Sequence, residues 1–144
     1  MAKGDRLYNK ALSEATSEPV NNDKAFQYLE RSAKVGNYKA TYALATWYLF
    51  GKHVKKDLKK GVDLLKIAAD MGSSDACFDL AVSYEKGKGI EENIELAFKY
   101  YLFAAINGDT EAIHEIGRCY FYGKGVVPNK TLGKDLLKLY NKSK

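Results

Sequence analysis

The stretch SDACFDLAVSYEKGKGIEENIELAFKYYLFAAINGD, residues 74–109, holds two helical patterns separated by a glycine-rich break. In its first half Ala76, Leu80, Ala81 and Tyr84 recur at i, i+4, i+5 and i+8, one stripe of a 3.6-residue period. Gly87-Lys88-Gly89-Ile90 then breaks the pattern, because glycine just past the last turn supplies a left-handed C-cap. Asn93 is the expected N-cap of a second helix, which carries Ala97, Tyr100, Tyr101, Ala104 and Ala105 on one face. Gly108 ends it.

Working outward from this stretch, the pattern recurs every 36 residues without insertion. Ala40, Ala76 and Ala112 keep that interval, as do Gly36, Gly72 and Gly108. Gly51, Gly87 and Gly123 keep it too, each followed by lysine, and Asp57 and Asn129 stand where Asn93 stands. Gly61, Ala97 and Gly133 line up with Ala25, and Ala68-Ala69 with Ala104-Ala105. The spacing predicts eight helices in four pairs, over roughly 3–14 and 23–35, 38–50 and 58–71, 74–86 and 94–107, 110–122 and 130–142. One pair cannot bury its own apolar stripe, so each must stack on the next in a single all-α array covering 1–144, with repeats at about 2–37, 38–73, 74–109 and 110–144. Small residues in the stripe let helix backbones approach; Ala69 and Ala105 are expected at the closest contacts.

The unit A-x3-L-[AG]-x2-Y-x2-G-K-G-[IV]-x2-[DN]-x3-A-x2-[YL]-[YL]-x2-A-A-x2-G resembles the Sel-1-like repeat, a relative of the tetratricopeptide repeat. The match is fullest from Ala76 to Gly108 and strong over residues 38–137. His53 replaces the second loop glycine of the second repeat, and Ala15 stands where the first repeat would carry its loop glycine. The last repeat loses the paired alanines to Tyr140-Asn141. Degenerate ends suit capping repeats, whose outer faces must be wet, and Lys130, Lys134, Lys138 and Lys142 give the last helix a polar stripe. The resemblance implies a right-handed α-solenoid that binds other proteins.

Composition narrows the function classes. Hydrophobic residues make up 46% and charged residues 28%, a globular balance, and no apolar run approaches the ~18 residues of a transmembrane helix. The net charge of +5 is carried by lysine; arginine occurs only at Arg6, Arg31 and Arg118. Nucleic-acid recognition relies on arginine forks, so this excess points away from nucleic acid. Two cysteines make no disulfide scaffold, and no apolar segment follows Met1-Ala2-Lys3-Gly4-Asp5-Arg6. A cytoplasmic chain is the expectation, with export after loss of a leader as the alternative.

No motif carries catalysis. Gly87-Lys88-Gly89 and Gly123-Lys124-Gly125 lack the glycine spacing and the Ser or Thr of a phosphate loop, and the repeat already accounts for them. His53 and His114 occupy unrelated repeat positions with no paired spacing, so neither a metal nor a cofactor is expected. Cys77 and Cys119 lie six positions apart in repeat register, too far to form a disulfide.

The residues left over by the packing stripe are the candidate binding surface. The resemblance to tetratricopeptide geometry places Lys39, Tyr42, Thr46, Leu49 and Phe50 of the second repeat on the concave face. It places Asp75, Phe78, Val82, Glu85 and Lys86 of the third repeat there, and Glu111, His114, Arg118, Phe121 and Tyr122 of the fourth. The first repeat adds Lys3, Arg6, Lys10, Ser13 and Glu14. Aromatics rimmed by charge are the composition of a protein interface, and Lys3, Lys10 and Lys39 favour an acidic partner. The expected function is therefore a non-enzymatic adaptor. A stand-alone immunity-type protein that occludes a toxin or effector is the second reading. An enzyme acting on a cell-wall or nucleotide substrate through Glu85, Glu111, His114 and Arg118 is the third.

Overall fold

The computed structural model describes residues 2–16 and 21–144. Among these the chain forms eight α-helices and no strand: α1 (Asp5–Thr16), α2 (Asn22–Lys34), α3 (Tyr38–Phe50), α4 (Leu58–Asp70), α5 (Ser74–Lys86), α6 (Ile94–Ile106), α7 (Glu111–Tyr122) and α8 (Lys130–Lys142). Asp57, Asn93 and Asn129 each accept the backbone N–H three residues on, from Lys60, Leu96 and Leu132. Each satisfies one of the orphan donors of a helix start. The three glycine-lysine turns repeat in detail. Gly51, Gly87 and Gly123 have φ of 70°, 65° and 71°. The lysine after each donates its N–H to Trp47, Ser83 or Cys119 at 2.9, 3.0 and 2.9 Å.

Two departures from the expected boundaries have local causes. Gly4 adopts φ 78° and its carbonyl accepts the Tyr8 N–H, so α1 starts at Asp5 and Lys3 precedes it. Ala15, lacking the freedom of the glycine found in the other repeats, continues the helix to Thr16. His53 stands in the slot of Gly89 and Gly125, and it takes their backbone at φ 64°. It is the only non-glycine residue with positive φ among those described.

The chain divides into two compact units, Met1–Met71 and Gly72–Lys144, each of two helix pairs. In the first, α1 packs on α2, α2 on α3 and α3 on α4. Its core gathers Ala11, Ala25, Leu29, Ala40, Leu44 and Trp47, with Phe26 stacked on the Trp47 ring at 5.7 Å. Leu65 is fully buried, a burial that contributes on the order of 2 kcal/mol.

In the second unit α5 packs on α6, α6 on α7 and α7 on α8. Leu80, Tyr101, Ala104 and Ala112 are at most 1% exposed. Where α7 packs on α8, glycine meets glycine: a Cβ on Gly133 would lie 2.8 Å from both the Gly117 carbonyl oxygen and the Phe121 nitrogen. The paired alanines need a correction. Ser32, Ala68 and Ala104, the first of each pair, are 0% exposed. The second of each pair turns toward the edge, so that Ala69 is barely buried and Ala105 only half-buried. Cys77 and Cys119 are both buried as free thiols.

Candidate protein-binding cleft

A cleft of about 520 Å³ opens in the second unit, lined by α5 (Phe78, Val82, Glu85, Lys86), α6 (Tyr101) and α7 (His114, Glu115, Arg118). The helical period explains the grouping, since Phe78, Val82 and Glu85 fall at i, i+4 and i+7, as do His114, Arg118 and Phe121. Phe78 meets the Tyr101 ring edge-on at 5.4 Å. Phe78 and Val82 are half-buried, so the cleft presents apolar surface beside its charges.

The charges form a closed network. Arg118 donates to Glu85 Oε1 at 2.7 Å and, from Nη2 and Nε, to Glu115 Oε2 at 2.7 and 2.9 Å. The Tyr101 hydroxyl donates to Glu85 Oε2 at 2.7 Å, and Lys124 Nζ lies 3.6 Å from Glu85 Oε1. His114 Nδ1 stands 3.3 Å from Glu115 Oε1. Burial pushes the Glu85 carboxyl up, but the hydrogen bonds from Arg118 and Tyr101 outweigh it and hold that carboxyl below its ordinary range. Burial and the Glu85 hydrogen bond together push the Tyr101 hydroxyl up. Burial lowers the Arg118 value, yet its two carboxylate partners raise it overall. Next to Arg118 in the sequence, burial raises the Cys119 thiol to about 11. Such a thiol is a packing group rather than a nucleophile.

These hydrogen bonds fix the positions of the charges. Both oxygens of Glu85 are occupied by donors, and a carboxyl held ionised is the opposite of a general acid near neutrality. Glu111 accepts the Tyr140 hydroxyl at 2.6 Å, while the His114 ring rests 5.1 Å from the Tyr140 ring. Of the four groups of the enzyme reading, Glu85, His114 and Arg118 thus line one cleft, and Glu111 lies outside it. Among the described residues no group of three or more His, Cys, Asp or Glu is placed to hold a metal ion.

Six of the candidates named from sequence line the cleft: Phe78, Val82, Glu85, Lys86, His114 and Arg118. Others take separate places. Asp75 and Glu111 are exposed outside its lining. Phe121 leans on Tyr122 at 4.9 Å, with Lys130 of α8 5.6 Å from its centroid, and Tyr122 is 67% exposed. In the first unit Leu49 packs over Gly61, and the Thr46 hydroxyl bonds the Ala43 carbonyl. Leu49 is thus a contact between α3 and α4. Lys39 is exposed, Tyr42 half-buried and Phe50 80% exposed. Lys10 and the half-buried Glu14 lie on α1, with the Lys10 ammonium 5.5 Å from the Tyr28 ring. Tyr101 and Glu115 were not anticipated. Glu115 carried a signal, since Glu and Arg at i and i+3 pair on a helix.

The Sel1 repeat family model matches the chain over residues 7–37, 39–73, 74–109 and 110–139. Among solved structures, a Sel1 repeat protein from Oxalobacter formigenes is 21% identical, with a TM-score of 0.87 over 97% of this chain and 58% of that one. The protective antigen c5321 from uropathogenic Escherichia coli, with an SLR fold, is 23% identical, with a TM-score of 0.91 over 97% of this chain and 30% of that one. Immunity protein Pa5087 from Pseudomonas aeruginosa is 18% identical, with a TM-score of 0.60 over 96% of this chain and 68% of that one. The chain thus spans 58% and 30% of the length of the first two. No curated protein sequence matches at comparable stringency. Four matched repeats, eight helices in pairs and the shared fold establish an all-α solenoid, and the chain belongs to the Sel1 repeat family.

Proposed function

We propose that the protein is a non-enzymatic binding module that holds a partner protein on its first-helix face, with the cleft around Phe78 and Arg118 as the central contact. Sel1 repeats serve as protein-interaction modules, which supports the class of function. The observation that carries the site is the preorganised network: Arg118 is locked by two carboxylates beside the half-exposed Phe78. A side chain fixed before the partner arrives loses little freedom on binding, and aromatic and arginine side chains supply most interface hot spots. In the second unit the exposed Tyr122 would extend the contact beyond the cleft, and in the first unit Lys39 and Phe50 would offer contacts of their own. The exposed Lys3, Lys10 and Lys39 would steer an acidic partner toward the first unit. The reading carries no cofactor and no nucleic acid, and it places the protein in the cytoplasm. No helix among the described residues is long and apolar enough to cross a membrane.

The second reading, an immunity-type protein that occludes a toxin or effector, draws on the same fold in immunity protein Pa5087. A toxin gene adjoining this one would favour it over the adaptor. Affinity capture tests the site in either version. Wild-type protein should retain a stoichiometric partner that Phe78→Asp loses, at unchanged helical content. Equal retention by both proteins would overturn the proposed site.

A further inference from the structure

The first unit carries a second opening, on the face formed by α2 and α4. It is a cleft of about 270 Å³ with Leu44 and Tyr48 in its floor and Phe26, Leu64 and Ile67 on its walls. Ile67 is 50% exposed, so part of this apolar surface faces solvent. Three charged residues, Glu30, Lys34 and Lys60, also line it. The repeat supplies an internal control: two repeats on, the same positions hold Leu102, Ile106 and Leu132. The fold therefore accepts apolar side chains there, and it does not impose the charges.

The lysines extend beyond the lining. The turn after α3 and the first turn of α4 carry Lys52, Lys55, Lys56, Lys59 and Lys60, all exposed, against one acid, Asp57. One repeat on, the positions of Lys55, Lys56 and Lys59 are Glu91, Glu92 and Glu95. Charge of either sign suits this turn, so the positive sign in the first unit is particular to this place. Nearby acids offset it only in part: Asp57 caps α4, Asp63 pairs with Lys59 at 3.7 Å, and Glu30 lies across the cleft. Lys60 Nζ sits 4.6 Å from the Tyr48 ring centroid, which places its charge at the apolar floor.

We propose that this cleft is a second docking site, for an acidic peptide segment that inserts one large apolar side chain. The volume lies just below the roughly 300–1,000 Å³ of whole-ligand pockets, so it suits a single anchoring side chain rather than a complete small molecule. The lysines flanking one end attract the acidic residues on either side of the anchor. The site shares no residue with the Phe78–Arg118 cleft, and either one stands if the other fails.

The test is a titration of the 15N-labelled full chain with a short synthetic peptide of Asp, Glu and Ser around one central Phe. Saturable shifts should appear at the amides of Leu44, Leu64 and Ile67. Replacing the peptide's Phe by Ala, or making Lys60→Glu or Ile67→Asp in the protein, should each weaken binding by about tenfold or more. Ile67 is exposed enough for Ile67→Asp to fold normally, and Arg118→Ala should bind like wild type. The proposal is overturned by the absence of saturable shifts up to about 1 mM peptide, by equal binding of the Ala peptide, by indifference to Lys60→Glu, or by shifts centred on Phe78 and Arg118.

Discussion

Arg118 and Glu85 lie 33 residues apart in sequence and 2.7 Å apart in space, and their contact ties α7 to α5. Both side chains are largely shielded, at 25% and 17% exposure, so each would be left partly buried without its partner. Arg118→Ala should lower unfolding stability by about 1–3 kcal/mol, because Glu85 and Glu115 lose their main donor while remaining shielded. Chemical denaturation measures this directly.

The same contact sets a pH dependence. The folded Glu85 carboxyl lies below its usual 4.5, so its stabilising contribution is complete above that value. The contribution disappears as pH falls through the lower folded value. The stability difference between wild type and Glu85→Gln should stay constant from neutrality to about pH 5 and narrow on further acidification. A difference that widens in acid would mean the carboxyl is not held ionised by Arg118.

Gly133→Ala and Gly61→Ala should part company. Alanine in a helix gains about 1 kcal/mol over glycine. At Gly133 the new Cβ would strike backbone at 2.8 Å on two sides, which no rotamer can relieve. Gly61 meets chiefly the end of the Leu49 side chain at 2.6 Å, which can move. Urea titration should show Gly133→Ala destabilised by about 1–3 kcal/mol and Gly61→Ala by less.

His53 reverses the usual ranking of alanine and glycine. Its ring packs 6.1 Å from Phe26 and 5.9 Å from Trp47, and Nε2 reaches Asp23 at 2.8 Å, while its backbone holds φ 64°. Alanine would lose these contacts and keep the strain; glycine would lose the contacts and the strain together. His53→Gly should therefore be more stable than His53→Ala by about 1 kcal/mol, readable as the higher Tm.

Ala104→Leu should cost about 1–3 kcal/mol through overpacking, and Ala105→Leu clearly less. Ala104 is 0% exposed, and Ala105 has room at the edge of the packed face. Equal losses would show that both alanines sit in the contact.

The repeat explains why so much was legible before the structure. Asp57, Asn93 and Asn129 cap three helices at one register, and Gly51, Gly87 and Gly123 end three at another, so each assignment was checked three times over. Errors fell where repetition gives no check. The start of α1 depends on the backbone of Gly4, and the choice between Ala104 and Ala105 on which of two adjacent residues points inward. The cleft was half legible for a related reason. Repeat register gives the direction of a Cβ, which located Phe78, Val82, Glu85 and Arg118. Tyr101 belongs by register to the packing stripe, and its ring is buried there, but its hydroxyl extends to Glu85. Long side chains reach polar partners beyond the positions that register assigns.

The most direct measurement is the affinity and kinetics of the captured partner for a small set of variants. Phe78→Ala should weaken binding by about 2 kcal/mol, roughly thirtyfold, chiefly through faster release. Lys10→Ala and Lys39→Ala should cost less, and added salt should act mainly by slowing association. Full affinity in Phe78→Ala and Arg118→Ala, with loss of binding in Ile67→Asp, would contradict the account by placing the partner on the α2–α4 face.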